Sequence, residues 1–412
     1  MPVRNLPEQV CPRLREDLIF GPPFRRGSET VYYLKDPRAN TFYRLRGREY
    51  FLLTKLRSGG PLGVIEEEYV ACFGHDIDAD AWWSLVGQLE ARQLLADSVD
   101  QEKLERIRLK AQAARDKSAG VFRKRFRLLN PDKFLNRLLP VARWTCHWPI
   151  VVLACLVLLA LEVFVMTHLG SLVRDMRGVW DFAAAWPILL GIVYVMAAVH
   201  ELAHGMACKL FGGTVTDIGL VWRYLYVFPY CKLDDIVLLQ KKSERVMVAG
   251  AGTFINLLLV TPAALVWYYA GEDGAVRACS AWLLTAYNVM CLVNLVPFIE
   301  LDGYFMLTHW LGIVDLRKQA HRFVLSGIAR LWRHETKHLA RWSVKERRVY
   351  AMYGVASLMV TITFLGGMVA FWWNLVRQYS SATMPWFVLS VVCLAWLASW
   401  WRTRRRVDPT DA

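Results

Sequence analysis

Six segments of this chain, near residues 147–168, 183–205, 247–270, 278–299, 350–374 and 385–401, are long and apolar enough to cross a bilayer. The hydrocarbon is about 30 Å thick and a helix rises about 1.5 Å per residue, so about twenty apolar residues suffice. No other feature restricts the fold as strongly. The expected class is therefore a polytopic α-helical membrane protein with about six transmembrane helices. Composition agrees, since 55% of the residues are hydrophobic and only 21% charged, with 18 Trp and 19 Phe. A wholly soluble domain carries about a quarter charged residues.

The chain has 50 Lys and Arg against 36 Asp and Glu, a formal charge of +14. Where that charge sits decides what it means. Residues 101–143 hold 13 basic and 4 acidic residues, and 305–349 hold ten basic residues. Others cluster between the second and third spans (Arg223, Lys232, Lys241, Lys242, Arg245) and after the sixth (Arg402, Arg404, Arg405, Arg406). The remaining loops carry only Arg174, Arg177, Arg277 and Arg377. The positive-inside rule then places both termini in the cytoplasm. The first thirty residues contain no apolar h-region, which agrees with a cytoplasmic start. The nine cysteines show no CxxC and no regular spacing, which points to reduced, packed thiols rather than disulfides or a thiolate metal site.

Residues 1–100 read as a small α+β domain. Two aromatic, β-branched runs flank Asp36-Pro37-Arg38-Ala39-Asn40, a hairpin over 30–46, and helices are expected near 47–58, 62–74 and 78–95. A hairpin with helices at this scale suggests a winged-helix-like module. Its 13 basic and 15 acidic residues leave no positive face for nucleic acid, so none is expected as a partner. A basic juxtamembrane helix or linker fills 101–146, its charge anchoring the first span to anionic headgroups of the lipid bilayer. The membrane core of four spans covers 147–305. A basic cytoplasmic segment (306–349), two further spans within 350–401 and a basic tail (402–412) complete the order. The segment Thr214 to Tyr230 is rich in β-branched and aromatic residues and reads as one or two strands at the cytoplasmic edge.

The second span ends in Val199-His200-Glu201-Leu202-Ala203-His204-Gly205. Histidines four apart stand one helical turn apart on one face, so both can reach one metal ion, and the glutamate between them can take a proton from water at that metal. Polar groups at membrane depth are costly, about 2.5–3.5 kcal/mol for a central charge on insertion scales, and a metal removes that cost. A second match, His334-Glu335-Thr336-Lys337-His338, lies in a basic stretch where Lys337 and Arg333 would repel a cation. It reads as the solvated face of an interfacial helix. A catalytic zinc site needs a third protein ligand and an open fourth position. The fourth span ends in Asn294-Leu295-Val296-Pro297-Phe298-Ile299-Glu300-Leu301-Asp302-Gly303, which offers Asp302 at the cytoplasmic level of the two histidines. Glu300, two residues away, is the rival.

The pairing of HELAH with a later NLVPFIELDG resembles the site-2 protease family of intramembrane zinc metalloproteases, over roughly 183–305. The resemblance implies Zn²⁺ held by His200, His204 and Asp302, with Glu201 as catalytic base. Ala249-Gly250-Ala251-Gly252-Thr253-Phe254-Ile255-Asn256 is similar to the family's glycine-proline-x-x-asparagine element, with Thr253 in place of proline. On this comparison Asn256 is a further catalytic residue that positions substrate or the oxyanion. The implied substrate is a membrane-anchored protein or peptide, and the implied setting a bacterial inner membrane. The N-terminal module looks like the small peptide-binding winged-helix domains found beside peptide-modifying enzymes, which adds a peptide-export or secretion component as a partner. An accessory role in peptide maturation or export, without proteolysis, is the alternative reading.

Overall fold

The computed structural model describes residues 11–96, 99–117, 123–223, 226–271, 274–333 and 344–379. The expected span at 385–401, the second histidine motif at 334–338 and the tail at 402–412 lie outside the described residues. The described residues fall into two units, one up to Leu316 and the other from Arg317 onward.

In the N-terminal region, β3 (Glu29–Asp36) pairs antiparallel with β1 (Ile19–Phe20) and β2 (Phe24–Arg26), and with β4 (Thr41–Arg46). The β3–β4 register runs from Val31 opposite Arg46 to Asp36 opposite Thr41. The turn between them holds Asn40 at φ 49°, a left-handed conformation that asparagine tolerates better than most residues. Helices α1 (Gly47–Ser58), α2 (Leu62–Phe73) and α3 (Ala79–Ala91) follow. Leu34 and Leu45 from the sheet meet Leu53, Ile65, Trp82 and Leu89 from the helices in one apolar core. This is a small strand-containing module with its own apolar core.

The basic stretch that follows is not one helix. It divides into α4 (Gln101–Lys117), β5 (Arg123–Leu129) and α5 (Asp132–Thr145). A one-dimensional reading of charge and helical spacing missed β5 because its pairing partner lies about 90 residues downstream. Helix α6 (Trp148–Arg177) and helix α7 (Ala185–Leu210) come next. Then β6 (Ile218–Arg223) and β7 (Tyr226–Cys231) complete a sheet of order β5-β6-β7, antiparallel throughout. Helices α8 (Lys242–Tyr269) and α9 (Ala275–Asn294) close the bundle. Among the described residues, five helices are long and apolar enough to span a membrane: α6 to α9, and α12 (Val344–Tyr379) in the second unit. Within that unit α11 (Leu316–Arg333) lies beside α12, with His321 Nε2 3.1 Å from Ser357 Oγ.

Leu161 and Leu172 of α6, Met196 of α7, Val260 and Trp267 of α8 and Leu284 of α9 share one buried cluster. At one end of the bundle Asp175 accepts hydrogen bonds from Trp267 Nε1 (2.8 Å) and Arg277 Nε (2.7 Å), tying α6, α8 and α9 together. At the opposite end α9 stops at Asn294, because Pro297 lacks an N–H and disfavours helix at Val296. The short helix α10 (Asp302–Leu311) then begins.

The N-terminal module is joined to this core by more than its linker. Lys35 Nζ lies 2.6 and 2.7 Å from the Asp235 carboxylate oxygens and 3.0 Å from Thr214 Oγ1. Both charged side chains are nearly inaccessible, at 6% and 7%. Arg25 exchanges backbone hydrogen bonds with Gly312 and Val314, and the Arg245 guanidinium stands 4.7 Å from the Phe24 ring centroid. A buried ion pair contributes little net stability, but removing one partner strands the other charge, at about 3–5 kcal/mol. Asp235→Ala should therefore lower thermal stability in detergent by about that amount. The double variant Lys35→Met/Asp235→Asn should recover most of it, because no charge is stranded and Thr214 keeps an acceptor. A single variant as stable as the parent would show that the pair does not hold the module.

Candidate metal centre

Helix α7 carries His200 and His204 one turn apart, with Nε2 atoms 3.2 Å from each other. Asp302 reaches both: Oδ2 is 3.4 Å from His200 Nε2, and Oδ1 is 3.5 Å from His204 Nε2. Zinc bonded at about 2.0–2.1 Å in tetrahedral geometry places its ligands about 3.3 Å apart, so these three donors have the spacing that such an ion requires. Among the described residues, the trio is the group of histidine, cysteine and carboxylate side chains that could hold a metal. Glu300 lies outside it, on an exposed turn.

Each member of the trio is oriented by a partner. His204 Nδ1 lies 2.7 Å from the carbonyl of Val248, so Nδ1 carries the proton and Nε2 offers its lone pair to the cluster. His200 Nδ1 lies 3.0 Å from the Asn256 carboxamide. A ligating imidazole presents Nδ1–H there, which calls for the carboxamide oxygen on that side. That orientation also satisfies the Asn256 Oδ1, otherwise buried without a partner. Asp302 Oδ2 accepts from Thr253 Oγ1 (2.9 Å) and Asn294 Nδ2 (2.7 Å). Burial alone would raise the Asp302 carboxyl, but hydrogen bonding and the two imidazoles hold it below the usual carboxylate range. It also opens α10, where the positive end of the helix favours an anion.

Three of these contributions were not assigned from the sequence. Thr253, noted only as a departure from proline, supplies a hydroxyl to Asp302. Asn294, quoted within its motif without a role, bonds both Asp302 and Thr253. Gly252 makes the whole approach possible, since a Cβ there would stand 2.5 Å from His200 Cε1 and 2.6 Å from its Nε2. No heavy atom tolerates such separations. Gly303 is constrained likewise, because a Cβ would collide with the Leu295 carbonyl. The available signal was positional: glycines one turn before and immediately after polar residues inside otherwise apolar helices.

Glu201 accepts a hydrogen bond from the Cys231 backbone N–H at 2.9 Å, which places β7 alongside the metal cluster. Two cavities flank it. One, of about 510 Å³, is lined by Glu201, His204, Asp302, Tyr230, Lys232 and His309. Burial, and secondarily the nearby Arg245 charge, push His309 down to about 4, so it lines this cavity as a neutral ring. The other, of about 350 Å³, is more apolar and includes His200, Asn256, Met290 and Phe228. Glu201 and Asp302 border both.

A stretch of 164 residues, 39% of the chain, is 30% identical to a Bacillus subtilis (strain 168) protein named "Putative peptide zinc metalloprotease protein YydH". The match spans 62% of that relative's length. No family model matches the chain, and no solved structure does.

The crowding at Gly252 gives a direct check. Gly252→Ala should lose most of its zinc by elemental analysis of the purified chain. Gly250→Ala should keep it, because a Cβ at that position meets only the flexible Met306 side chain at 3.3 Å. Full zinc content in Gly252→Ala would show that the metal binds elsewhere.

Proposed function

We propose that this chain is an intramembrane zinc peptidase of the site-2 type, hydrolysing a peptide bond of a membrane-associated protein or peptide. The observation that carries the reading is the convergence of His200, His204 and Asp302 at ligand spacing, beside Glu201 and between two cavities. A zinc ion held there supplies Lewis acidity, polarising a carbonyl and lowering the pKa of a water toward about 7. Glu201 is the general base: its carboxylate takes the proton of the attacking water and returns it to the leaving amine. The Cys231 N–H fixes one of its oxygens and leaves the other for that exchange. Asn256 acts as a positioning residue through His200, and Asn294 and Thr253 act through Asp302.

Helical peptides resist hydrolysis because their carbonyls are engaged within the helix, so a substrate must be extended to be cut. Strand β7 is an edge of its sheet among the described residues and runs past both cavities, which suits it to hold an extended chain by backbone pairing. The basic loops support a topology with both termini in the cytoplasm of a bacterial cell. A peptide-export partner fits the same setting.

Glu201→Gln should retain about one zinc per chain, because it is not a ligand, and lose cleavage by on the order of 10²–10⁴-fold, the usual worth of a general base. Comparing new peptide termini in membranes from cells carrying the parent or Glu201→Gln reads both substrate and activity. Undiminished cleavage in the variant would overturn the mechanism. Peptide export that depends on the chain but yields no new terminus would favour the accessory role.

A further inference from the structure

Helix α5 meets three different environments around its circumference. At about 100° per residue, Asp132, Leu135, Leu139 and Ala142 fall on one face. These are the residues that the protein covers, Leu135 fully and the others in part. Asp132 Oδ1 accepts from Lys209 Nζ at 2.8 Å and from the Val215 N–H at 3.2 Å. Leu135 joins the cluster of Cys208, Val215 and Val248. A second face, about 120° away, carries Phe134, Leu138 and Val141. All three are exposed, Phe134 at 52% and Val141 at 59%. The third face holds Lys133, Asn136, Pro140 and Arg143, also exposed. Pro140 breaks a backbone hydrogen bond on this polar side, where water can satisfy the freed Asn136 carbonyl. Arg137 and Trp144 fall on the seam between the apolar and polar faces.

A helix that spanned the bilayer would be apolar all round, and one in water would not expose three large apolar residues in a row. We propose that α5 lies in the cytoplasmic interface of the membrane, with Phe134, Leu138 and Val141 inserted among acyl chains and Lys133 and Arg137 on anionic headgroups. Two observations select lipid over a protein partner. Along the chain, the exposed apolar residues resume directly after the break at Cys146–His147, in the apolar spanning helix α6, where Trp148 is 76% exposed. Its charged flank is basic and carries a tryptophan on the seam, the composition of a headgroup boundary.

This position has a consequence for the metal centre. Leu135 Cδ1 lies 3.4 Å from where a Cβ on Gly205 would stand, immediately after His204. The Asp132–Lys209 pair fixes the end of the same helix. An α5 held at the headgroup level therefore holds His200 and His204 at a set depth, so that peptide bonds are presented near the cytoplasmic surface. That consequence rests on the peptidase reading. The lipid contact does not, and it can fail or succeed alone.

The test uses the full chain in vesicles, with benzoylphenylalanine replacing Phe134, Leu138, Val141 or, as control, Asn136. On illumination the first three should form lipid adducts several-fold more often than position 136, and mass spectrometry should find phosphatidylglycerol enriched over phosphatidylcholine in a mixed membrane. Lys133→Gln/Arg137→Gln should abolish that enrichment while preserving adducts at position 138. Equal adducts at 136, or adducts to protein in place of lipid at 134 and 141, would overturn the placement. Enrichment that survives the double substitution would overturn the headgroup assignment.

Discussion

Two imidazoles and two carboxylates crowded into one level of an apolar bundle are tolerable only if each is paired and all are oriented, and in this chain the missing Cβ of Gly252 is what permits it. Helix α8 can approach α7 closely enough for Val248 to accept from His204 and for Asn256 to meet His200. The same approach lets Thr253 reach Asp302. Much of the polar network around the cluster follows from that one contact. The close packing of α8 against α7 is thus what assembles the polar cluster.

The geometry also explains why the residues flanking the cluster are polar although they sit in apolar helices. Asn294 and Thr253 share one oxygen of Asp302. This leaves the other oxygen and the two Nε2 atoms as the electron-rich side of the site. Glu201 faces the same region but is held from a different element, the end of β7. Glu201 is carried by the same helix as the two histidines, so β7 adds a second hold on a side chain that α7 already places beside them. The two cavities meet at this point, with Glu201 and Asp302 bordering both.

Local patterns carried much of the architecture. The hairpin at 30–46, three following helices and four apolar runs are each set by residues adjacent in sequence, and their observed bounds differ by a few residues where caps and turns decide. The ligand candidates were legible for the same reason, since two histidines four apart on an apolar helix have few uses. What stayed hidden depends on distant partners. Strand β5 is basic and looks helical until β6 pairs with it. Lys35 reads as a surface residue until Asp235, 200 positions away, buries it. Thr253 and Asn294 acquire their roles only when Asp302 is brought between them. Helix α5 shows how a charged stretch can hide an apolar face, with Phe134, Leu138 and Val141 exposed among basic residues.

The central claim is that one zinc ion is held by two histidines and a carboxylate, with no sulfur, even though Cys231 borders the same cavity. X-ray absorption at the zinc edge of the full-length chain addresses it most directly. The account predicts nitrogen and oxygen scatterers alone at about 2.0–2.1 Å, with the multiple-scattering signature of two imidazoles. A sulfur shell at about 2.3 Å, or fewer than two imidazoles, would contradict it.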